Sequence, residues 1–182
     1  MEILGICGSL RKKSYNHYAL LAAGQAMPAG MSLSVTTFDD VPLYNQDVQD
    51  AGFPASVERL AKAIREADGV LIASPEYNFS MTGVLKNLID WLSRLQAQPF
   101  KNKPTAIISA TGGPLGGARN QYELRKILGA LESHVLQRPE VFIGMNQNKF
   151  DSEGQLTDEA TKKILVTQMA SFKDWIERMP KT

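Results

Sequence analysis

The fold is decided by the stretch Ile3-Leu4-Gly5-Ile6-Cys7-Gly8-Ser9-Leu10-Arg11-Lys12-Lys13-Ser14-Tyr15-Asn16 near the start of the chain. Its apolar part, 3–7, is short and is followed at once by Gly8-Ser9, which is typical of a strand buried on both faces of a parallel sheet. Asn16 is a residue type that caps helices, and the segment after it, rich in alanine and leucine, is predicted to be helical. The stretch therefore predicts a strand, a polar loop and a helix in direct succession.

The same alternation continues to the end of the chain. We predict five strands, at 3–7, 32–38, 69–73, 105–109 and, as alternatives for the fifth, 135–136 or 141–143. Amphipathic spacing predicts four further helices, around 57–67, 84–95, 124–131 and from about Thr157 to Met179. The segment 39–54 is interpreted as turns. Alternating strands and helices predict a parallel α/β sheet with helices on both faces, in a single domain over residues 1–182.

The composition excludes several classes of function. Lys and Arg number 20 against 19 Asp and Glu, so no overall field favours nucleic acid or an anionic membrane. One cysteine, Cys7, excludes an intrachain disulfide and a multi-cysteine metal site, and with only His17 and His134 a metal centre is not expected. The sequence shows no signal peptide and no run that would span a bilayer, so a cytoplasmic location is expected.

The loop from Gly8 to Asn16 combines groups that bind a phosphate. The start of a helix supplies unpaired backbone N–H groups and a partial positive charge. The hydroxyls of Ser9 and Ser14 and the guanidinium of Arg11 can add charge-assisted hydrogen bonds. The loop therefore predicts an anion site, and the alternative is an ordinary strand-to-helix turn with an exposed basic tip.

Other phosphate-binding motifs fit this loop badly. Neither G-x-x-x-x-G-K-[ST] nor G-x-G-x-x-G occurs, which argues against a P-loop and a Rossmann fingerprint. The remaining rival is a cysteine phosphatase loop, because Cys7 ends the first strand. In the low-molecular-weight phosphatases an arginine follows the nucleophile by six residues, and that position holds Lys13 here. We therefore predict that Cys7 is a small buried strand residue.

Two later loops leave strands at the same edge of the predicted sheet. In the loop 74–83, Asn78 can donate and accept hydrogen bonds, as the polar edge of a flavin requires, and Tyr77 offers a flat face to an aromatic ring. The loop 111–117 holds four glycines in seven residues, which allows close backbone approach to a flat ligand. Because ligands of parallel sheets bind at the carboxyl ends of the strands, the three loops predict one site.

With these motifs the chain resembles the NAD(P)H-dependent FMN reductase family, which includes bacterial quinone, chromate and azo-dye reductases. The resemblance covers nearly the whole chain. It rests on Gly8-Ser9-x-Arg11-x-x-Ser14-x-Asn16, Pro75-Glu76-Tyr77-Asn78, the helix Gly83-Val84-Leu85-Lys86-Asn87-Leu88-Ile89-Asp90-Trp91 and the loop 112–117. It implies a flavodoxin-like, doubly wound parallel sheet of five strands in the order 2-1-3-4-5.

The resemblance also implies which residues bind the cofactor FMN. For the phosphate and ribityl chain these are Ser9, Arg11, Ser14, Tyr15 and Asn16. For the isoalloxazine ring they are Pro75, Glu76, Tyr77 and Asn78 on one side and Ser109, Thr111, Gly112 and Gly113 along the other edge. No catalytic side chain and no metal ligand is expected, because N5 of the flavin carries the chemistry. Members of the family are dimers or tetramers, so a homodimer or homotetramer is expected in which a neighbour can complete the flavin pocket.

The activity implied by the resemblance has two steps. NADH or NADPH gives a hydride to the flavin, and the oxidised nucleotide leaves. A small acceptor such as a quinone or free flavin then binds in the place of the nucleotide and is reduced. The choice between NADH and NADPH stays open, with Arg119 as a candidate for binding the 2′-phosphate. The alternatives are an electron-transfer flavodoxin that docks on protein partners, a cysteine phosphatase and a nonenzymatic binding module.

Overall fold

The computed structural model describes residues 1–179, which form one twisted parallel sheet with helices on both faces. Its strands are β1 (Glu2–Cys7), β2 (Ser32–Thr36), β3 (Gly69–Ala73), β4 (Pro104–Ala110), β5 (His134–Val135) and β6 (Val141–Ile143). They lie in the order β2-β1-β3-β4-β5, and β6 also pairs with β4. The predicted flavodoxin-like order is confirmed.

The fifth position of the sheet is shared by two short strands. β5 pairs with Pro104 and Thr105 at the start of β4, and β6 pairs with 108–110 at its end. The chain leaves the sheet edge between them, where Pro139 has no N–H to donate to a neighbouring strand. The two segments predicted as alternatives for one strand are therefore both used.

The helices divide between the two faces of the sheet. They are α1 (Tyr15–Gln25), α2 (Gln46–Ala51), α3 (Ala55–Glu66), α4 (Gly83–Ser93), α5 (Ala118–Ala130) and α6 (Glu159–Arg178). One core cluster joins α3, α4 and α5 to the sheet, and the other joins α1 and α6. Successive strand residues alternate between the clusters, so Leu4 and Ile6 belong to the first and Ile3 and Cys7 to the second. None of the described helices is long and apolar enough to cross a bilayer.

Two local predictions were wrong. The N-cap of α1 is Ser14, whose Oγ accepts the N–H of Asn16 at 3.2 Å, so Asn16 lies inside the helix. The segment predicted as turns contains α2, which Asn45 caps through the N–H of Asp47. No residue of α2 is buried, so an apolar stripe, the usual sequence signal of a helix, is missing there.

Candidate active site

The loop between β1 and α1 carries free hydrogen-bond donors at a helix N-terminus. Among the described residues, the backbone N–H groups of Lys12, Lys13 and Tyr15 have no acceptor. The Nη2 of Arg11 donates to the carbonyl of Lys13 at 2.8 Å, which leaves the other N–H groups of the guanidinium available. These donors and the positive end of α1 are of the kind that binds an anion.

Cys7 lies directly beneath this loop. Burial raises the pKa of the Cys7 thiol, and the weaker hydrogen bonds from the Ser9 N–H and the Ser14 side chain oppose that shift. A thiol with a raised pKa is mostly protonated near neutral pH and is a poor nucleophile. The geometry thus agrees with the prediction that Cys7 is a buried strand residue and argues against a cysteine phosphatase.

The side chain of Asn16 joins two of the predicted loops. Its Nδ2 donates to the carbonyl of Ala110 at 2.9 Å, and its Oδ1 accepts the N–H of Ala110 at 2.9 Å. Both residues are buried. This two-bond clamp ties the start of α1 to the end of β4, so Asn16 holds the floor of the site in position.

The second loop contains a tight hairpin. Tyr77 and Ser80 exchange two backbone hydrogen bonds, of 2.9 and 3.0 Å, and the residues between them, Asn78 and Phe79, both have positive φ. Two successive left-handed residues are the geometry of a two-residue type I′ turn, in which asparagine is favoured at the first position. The turn leaves the rings of Tyr77 and Phe79 largely exposed.

An ion pair holds this hairpin against α5. Glu76 accepts a hydrogen bond from Nε of Arg119 at 2.6 Å and one from the N–H of Asn120 at 3.3 Å. The guanidinium of Arg119 also lies 3.8 Å from the ring centre of Phe79. Glu76 therefore stabilises the N-terminus of α5, and Arg119 is already engaged by two neighbours.

Buried polar side chains fasten the two ends of the same loop. Ser74 donates to Oδ1 of Asn120 at 2.9 Å, and Nδ2 of Asn120 donates to the Ser74 carbonyl at 2.9 Å. At the other end, Thr82 donates to the carbonyl of Gly8 at 2.6 Å and its Oγ1 accepts the N–H of Leu85, which caps α4. The second loop is thus attached to both the first loop and α5.

The glycine-rich loop is shaped by Ser109. The Ser109 hydroxyl donates to the carbonyl of Gly116 at 2.5 Å and accepts from Nε2 of Gln121 at 2.8 Å. Gly117 has a φ of +89°, and a Cβ there would lie 2.7 Å from that of Ser109. Glycine is therefore required at Gly117 both by the backbone conformation and by the close approach of the buried serine.

The three loops meet around one cleft of about 280 Å³ at the carboxyl ends of the strands. It is lined by ten of the thirteen predicted site residues, namely Ser9, Arg11, Ser14, Tyr15, Asn16, Pro75, Glu76, Tyr77, Thr111 and Gly112. Asn78 and Gly113 are exposed beside the cleft, and Ser109 is buried behind it.

Sequence reasoning missed two residues that line the cleft, Ala110 and Asn146. The backbone N–H of Asn146 donates to the carbonyl of Thr111 at 3.1 Å, which brings the turn after β6 against the glycine-rich loop. The signal in the sequence was a polar run two residues after the last strand, in Asn146-Gln147-Asn148, but it matches no binding motif.

The helix motif of the resemblance has a structural role. Trp91 is fully buried and its Nε1 donates to the carbonyl of Pro42 at 2.9 Å, while Oδ1 of Asn87 accepts the N–H of Tyr44 at 2.8 Å. Lys86 and Asp90 form an ion pair at 2.6 Å across one helical turn. Trp91 and Asn87 thus hold the segment after β2 against α4, and the Lys86–Asp90 pair lies within the helix.

A larger cleft of about 400 Å³ lies at the opposite end of the sheet. Its buried cation, Lys103, donates to the carbonyls of Arg65 and Ala67 at the end of α3, at 3.1 and 2.6 Å. Burial lowers the pKa of Lys103, and the nearby Asp68 opposes that shift. Because Lys103 is engaged in capping a helix, and because ligands of parallel sheets bind at the other end, the smaller cleft is the better candidate.

Comparisons with known proteins identify the family of the chain. Residues 1–148 match the family described as NADPH-dependent FMN reductase. The chain is 48% identical over 179 residues to an NAD(P)H-dependent FMN reductase of Pseudomonas aeruginosa, covering 98% of this chain and 97% of the relative. It is 44% identical to a quinone reductase of Escherichia coli over 182 residues, with 98% and 97% covered.

A solved structure shows the same arrangement of strands and helices. The flavoenzyme NAD(P)H:(acceptor) oxidoreductase of Paracoccus denitrificans superposes with a TM-score of 0.89 at 35% identity, and 98% of each chain is covered. The chain therefore belongs to the NADPH-dependent FMN reductase family and is an NAD(P)H-dependent flavin oxidoreductase.

Proposed function

We propose that the 280 Å³ cleft holds FMN and that the protein uses it to pass electrons from NADH or NADPH to a quinone or a similar small acceptor. The observation that carries the proposal is the meeting of a loop with free N–H donors, an exposed aromatic hairpin and a glycine-rich loop in one cleft. The relatives named as FMN and quinone reductases support the donor and the acceptor. We further propose that residues 1–182 form a single FMN-binding domain that works in the cytoplasm.

The first loop would bind the phosphate of FMN. The free N–H groups of Lys12, Lys13 and Tyr15, the hydroxyl of Ser9 and the guanidinium of Arg11 are donors of the kind that a phosphate accepts. The hydroxyl of Ser14 is already bonded within the loop, so Ser14 and Asn16 would act by holding the donors in place.

The other two loops would hold the ring of the cofactor. Tyr77 would lie against its face, with Pro75, Glu76 and Asn78 nearby, and Thr111, Gly112 and Gly113 would face its polar edge through backbone N–H groups. Ser109 would act from behind, because it sets the path of the glycine-rich loop.

FMN held by the three loops would supply the redox chemistry, with N5 of its ring as the hydride acceptor. The protein has to orient two flat molecules in turn and needs no nucleophile or general base of its own. Glu76, the carboxylate of the cleft, is engaged by Arg119 and by the N-terminus of α5, so it is a fixed hydrogen-bond acceptor in the wall.

A second copy of the chain would complete the site. Large apolar side chains stand exposed near the cleft: Tyr77, Phe79, Leu115, Tyr122 and Met145. Such a group on one edge of a monomer is typical of a surface that is covered in an assembly. We propose a homodimer or homotetramer, which light scattering of the purified protein would detect.

The experiment is steady-state kinetics with FMN-loaded protein. We expect oxidation of NADH or NADPH that depends on added benzoquinone, and flavin absorption that stays with the protein on gel filtration. A protein that binds FMN but oxidises neither nucleotide would contradict the reductase proposal and favour the flavodoxin alternative. A protein that stays colourless with added FMN would favour a nonenzymatic binding module.

A further inference from the structure

A second cleft, of about 340 Å³, lies on the other side of the phosphate loop, between that loop and the end of β2. Its volume is within the range of small-molecule sites, about 300–1,000 Å³. We propose that it receives the adenosine phosphate end of NADH or NADPH. This inference rests on the proposed function and adds where the electron donor is held.

The cleft has an apolar part that suits a purine. Val35 and Phe38 line it from the end of β2, and Leu10 lines it from the phosphate loop. Leu10 is 49% exposed, although it is an apolar residue at the tip of a polar loop. Apolar side chains that line a cleft can cover the surface of an adenine ring.

Two charged residues at the rim of the cleft form no ion pair within the described part of the chain. Arg11, Lys12, His17 and Asp39 line it, and neither Lys12 nor Asp39 forms an ion pair with any residue in 1–179. The adjacent carboxylate, Asp40, by contrast, is paired with a nearby arginine at 2.9 Å. Unpaired charges of both signs are therefore available to a ligand at this rim.

The positions of these charges match two groups of a nicotinamide dinucleotide. A carboxylate accepts hydrogen bonds from the hydroxyls of a ribose, and a lysine ammonium donates to a phosphate such as the 2′-phosphate of NADPH. Here β2 lies next to β1, Asp39 follows its end by three residues, and Lys12 faces the same cleft. Asp39 would favour NADH and Lys12 would favour NADPH, which predicts that both are used.

The two clefts share a wall. Ser9 and Arg11 line both of them, so a dinucleotide that lies outside the bound FMN can cross the loop with its pyrophosphate beside a free N–H group of Arg11 and its nicotinamide against the open face of the flavin ring. Arg119, the candidate from the sequence for the 2′-phosphate, is held by Glu76 and stacked on Phe79 on the far side of the first cleft.

The test uses FMN-loaded protein and two variants, one of which removes a positive charge from the rim and the other a negative charge. Calorimetry with 2′,5′-ADP measures binding without turnover, and steady-state kinetics give the KM for NADPH and for NADH. Lys12→Ala should weaken 2′,5′-ADP binding and raise the KM for NADPH by about three- to fivefold, the size expected for one exposed charge contact. Asp39→Asn should raise the KM for NADH and lower the KM for NADPH.

The matched control is Lys163→Ala, which removes an exposed lysine of α6 that lines neither cleft. The inference is overturned if Lys12→Ala and the control bind 2′,5′-ADP with equal affinity. It is also overturned if Asp39→Asn leaves the ratio of the KM for NADPH to the KM for NADH unchanged. If quinone-dependent NADPH oxidation persists in that case, the proposed function stands and only the adenosine site is lost. Failure of the wild-type protein to oxidise either nucleotide would overturn both.

Discussion

Replacing Asn16 by alanine tests whether Asn16 holds the loops together or only contacts the cofactor. The change removes two hydrogen bonds of 2.9 Å and leaves the N–H and the carbonyl of Ala110 without their partner. A hydrogen bond contributes about 0.5–1.5 kcal/mol net, and a buried polar group left without a partner costs about 1–3 kcal/mol. Ala110 lines the cleft, so water can replace part of the loss. We expect the free energy of unfolding to fall by about 2–3 kcal/mol.

The measurement is urea unfolding of the protein freed of FMN, followed by circular dichroism. For a chain of this length the loss corresponds to a fall in Tm of about 4–12 °C. Asn148→Ala, which alters an exposed asparagine of the turn after β6, is the control and should change stability by less than about 0.5 kcal/mol.

The decisive result is the behaviour without cofactor. If Asn16 acted only by touching FMN, the alanine variant would lose FMN affinity and would keep the full stability of the FMN-free protein. A stability equal to that of the control would refute the clamp.

Three further predictions concern the supports of the site. Thr82→Val removes the 2.6 Å hydrogen bond to the Gly8 carbonyl and the N-cap of α4. The free energy of unfolding in urea should therefore fall by about 1–2 kcal/mol, and Thr82→Ser, which keeps the hydroxyl, should retain most of that stability. Gly117→Ala places a Cβ on a residue with positive φ, 2.7 Å from the Cβ of Ser109. The free energy of unfolding should therefore fall by about 2–4 kcal/mol, and FMN binding, measured by fluorescence, should weaken. An unchanged FMN affinity would contradict the role of this loop. Hydrogen bonds from Thr161 lower the pKa of Asp158 from its ordinary value of 3.8. The Asp158 carboxylate therefore stabilises the fold fully at a pH above 3.8, and this stabilisation is lost as the pH falls through the lower pKa that Asp158 has in the folded protein. The difference in unfolding free energy between wild type and Asp158→Ala should therefore be larger at pH 6 than at pH 3, and a constant difference would count against it.

Much of the fold follows from local patterns. The apolar runs of β1, β3 and β4 and the stripes of α3, α4 and α6 are visible in the sequence, because burial on a sheet or a helix imposes a period that one chain alone displays. Two features lacked this signal. α2 buries no side chain. The fifth position of the sheet is divided between β5 and β6, because β5 pairs with the start of β4 and β6 pairs with its end.

The candidate site was predictable as a set of loops and not as a set of contacts. Parallel strands place their carboxyl ends at one edge, so the sequence was enough to bring 8–16, 74–83 and 111–117 together. Hydrogen bonds between loops distant in the chain decide which side chains remain free for a ligand, and no local pattern records them. For that reason Ser109 and Asn16, predicted as ligands, are found with their polar atoms bonded to the protein.

The sequence by itself determined the alternating α/β pattern, the position of the phosphate loop and the resemblance to a flavin reductase family. Only the tertiary structure decided that burial raises the pKa of the Cys7 thiol beneath that loop, that Arg119 is engaged by Glu76, and that a second cleft opens between the loop and β2. The physical reason is that residue type and spacing specify what a side chain can bond to, whereas its actual partner depends on which distant residue the packing of the sheet and helices brings within about 3 Å.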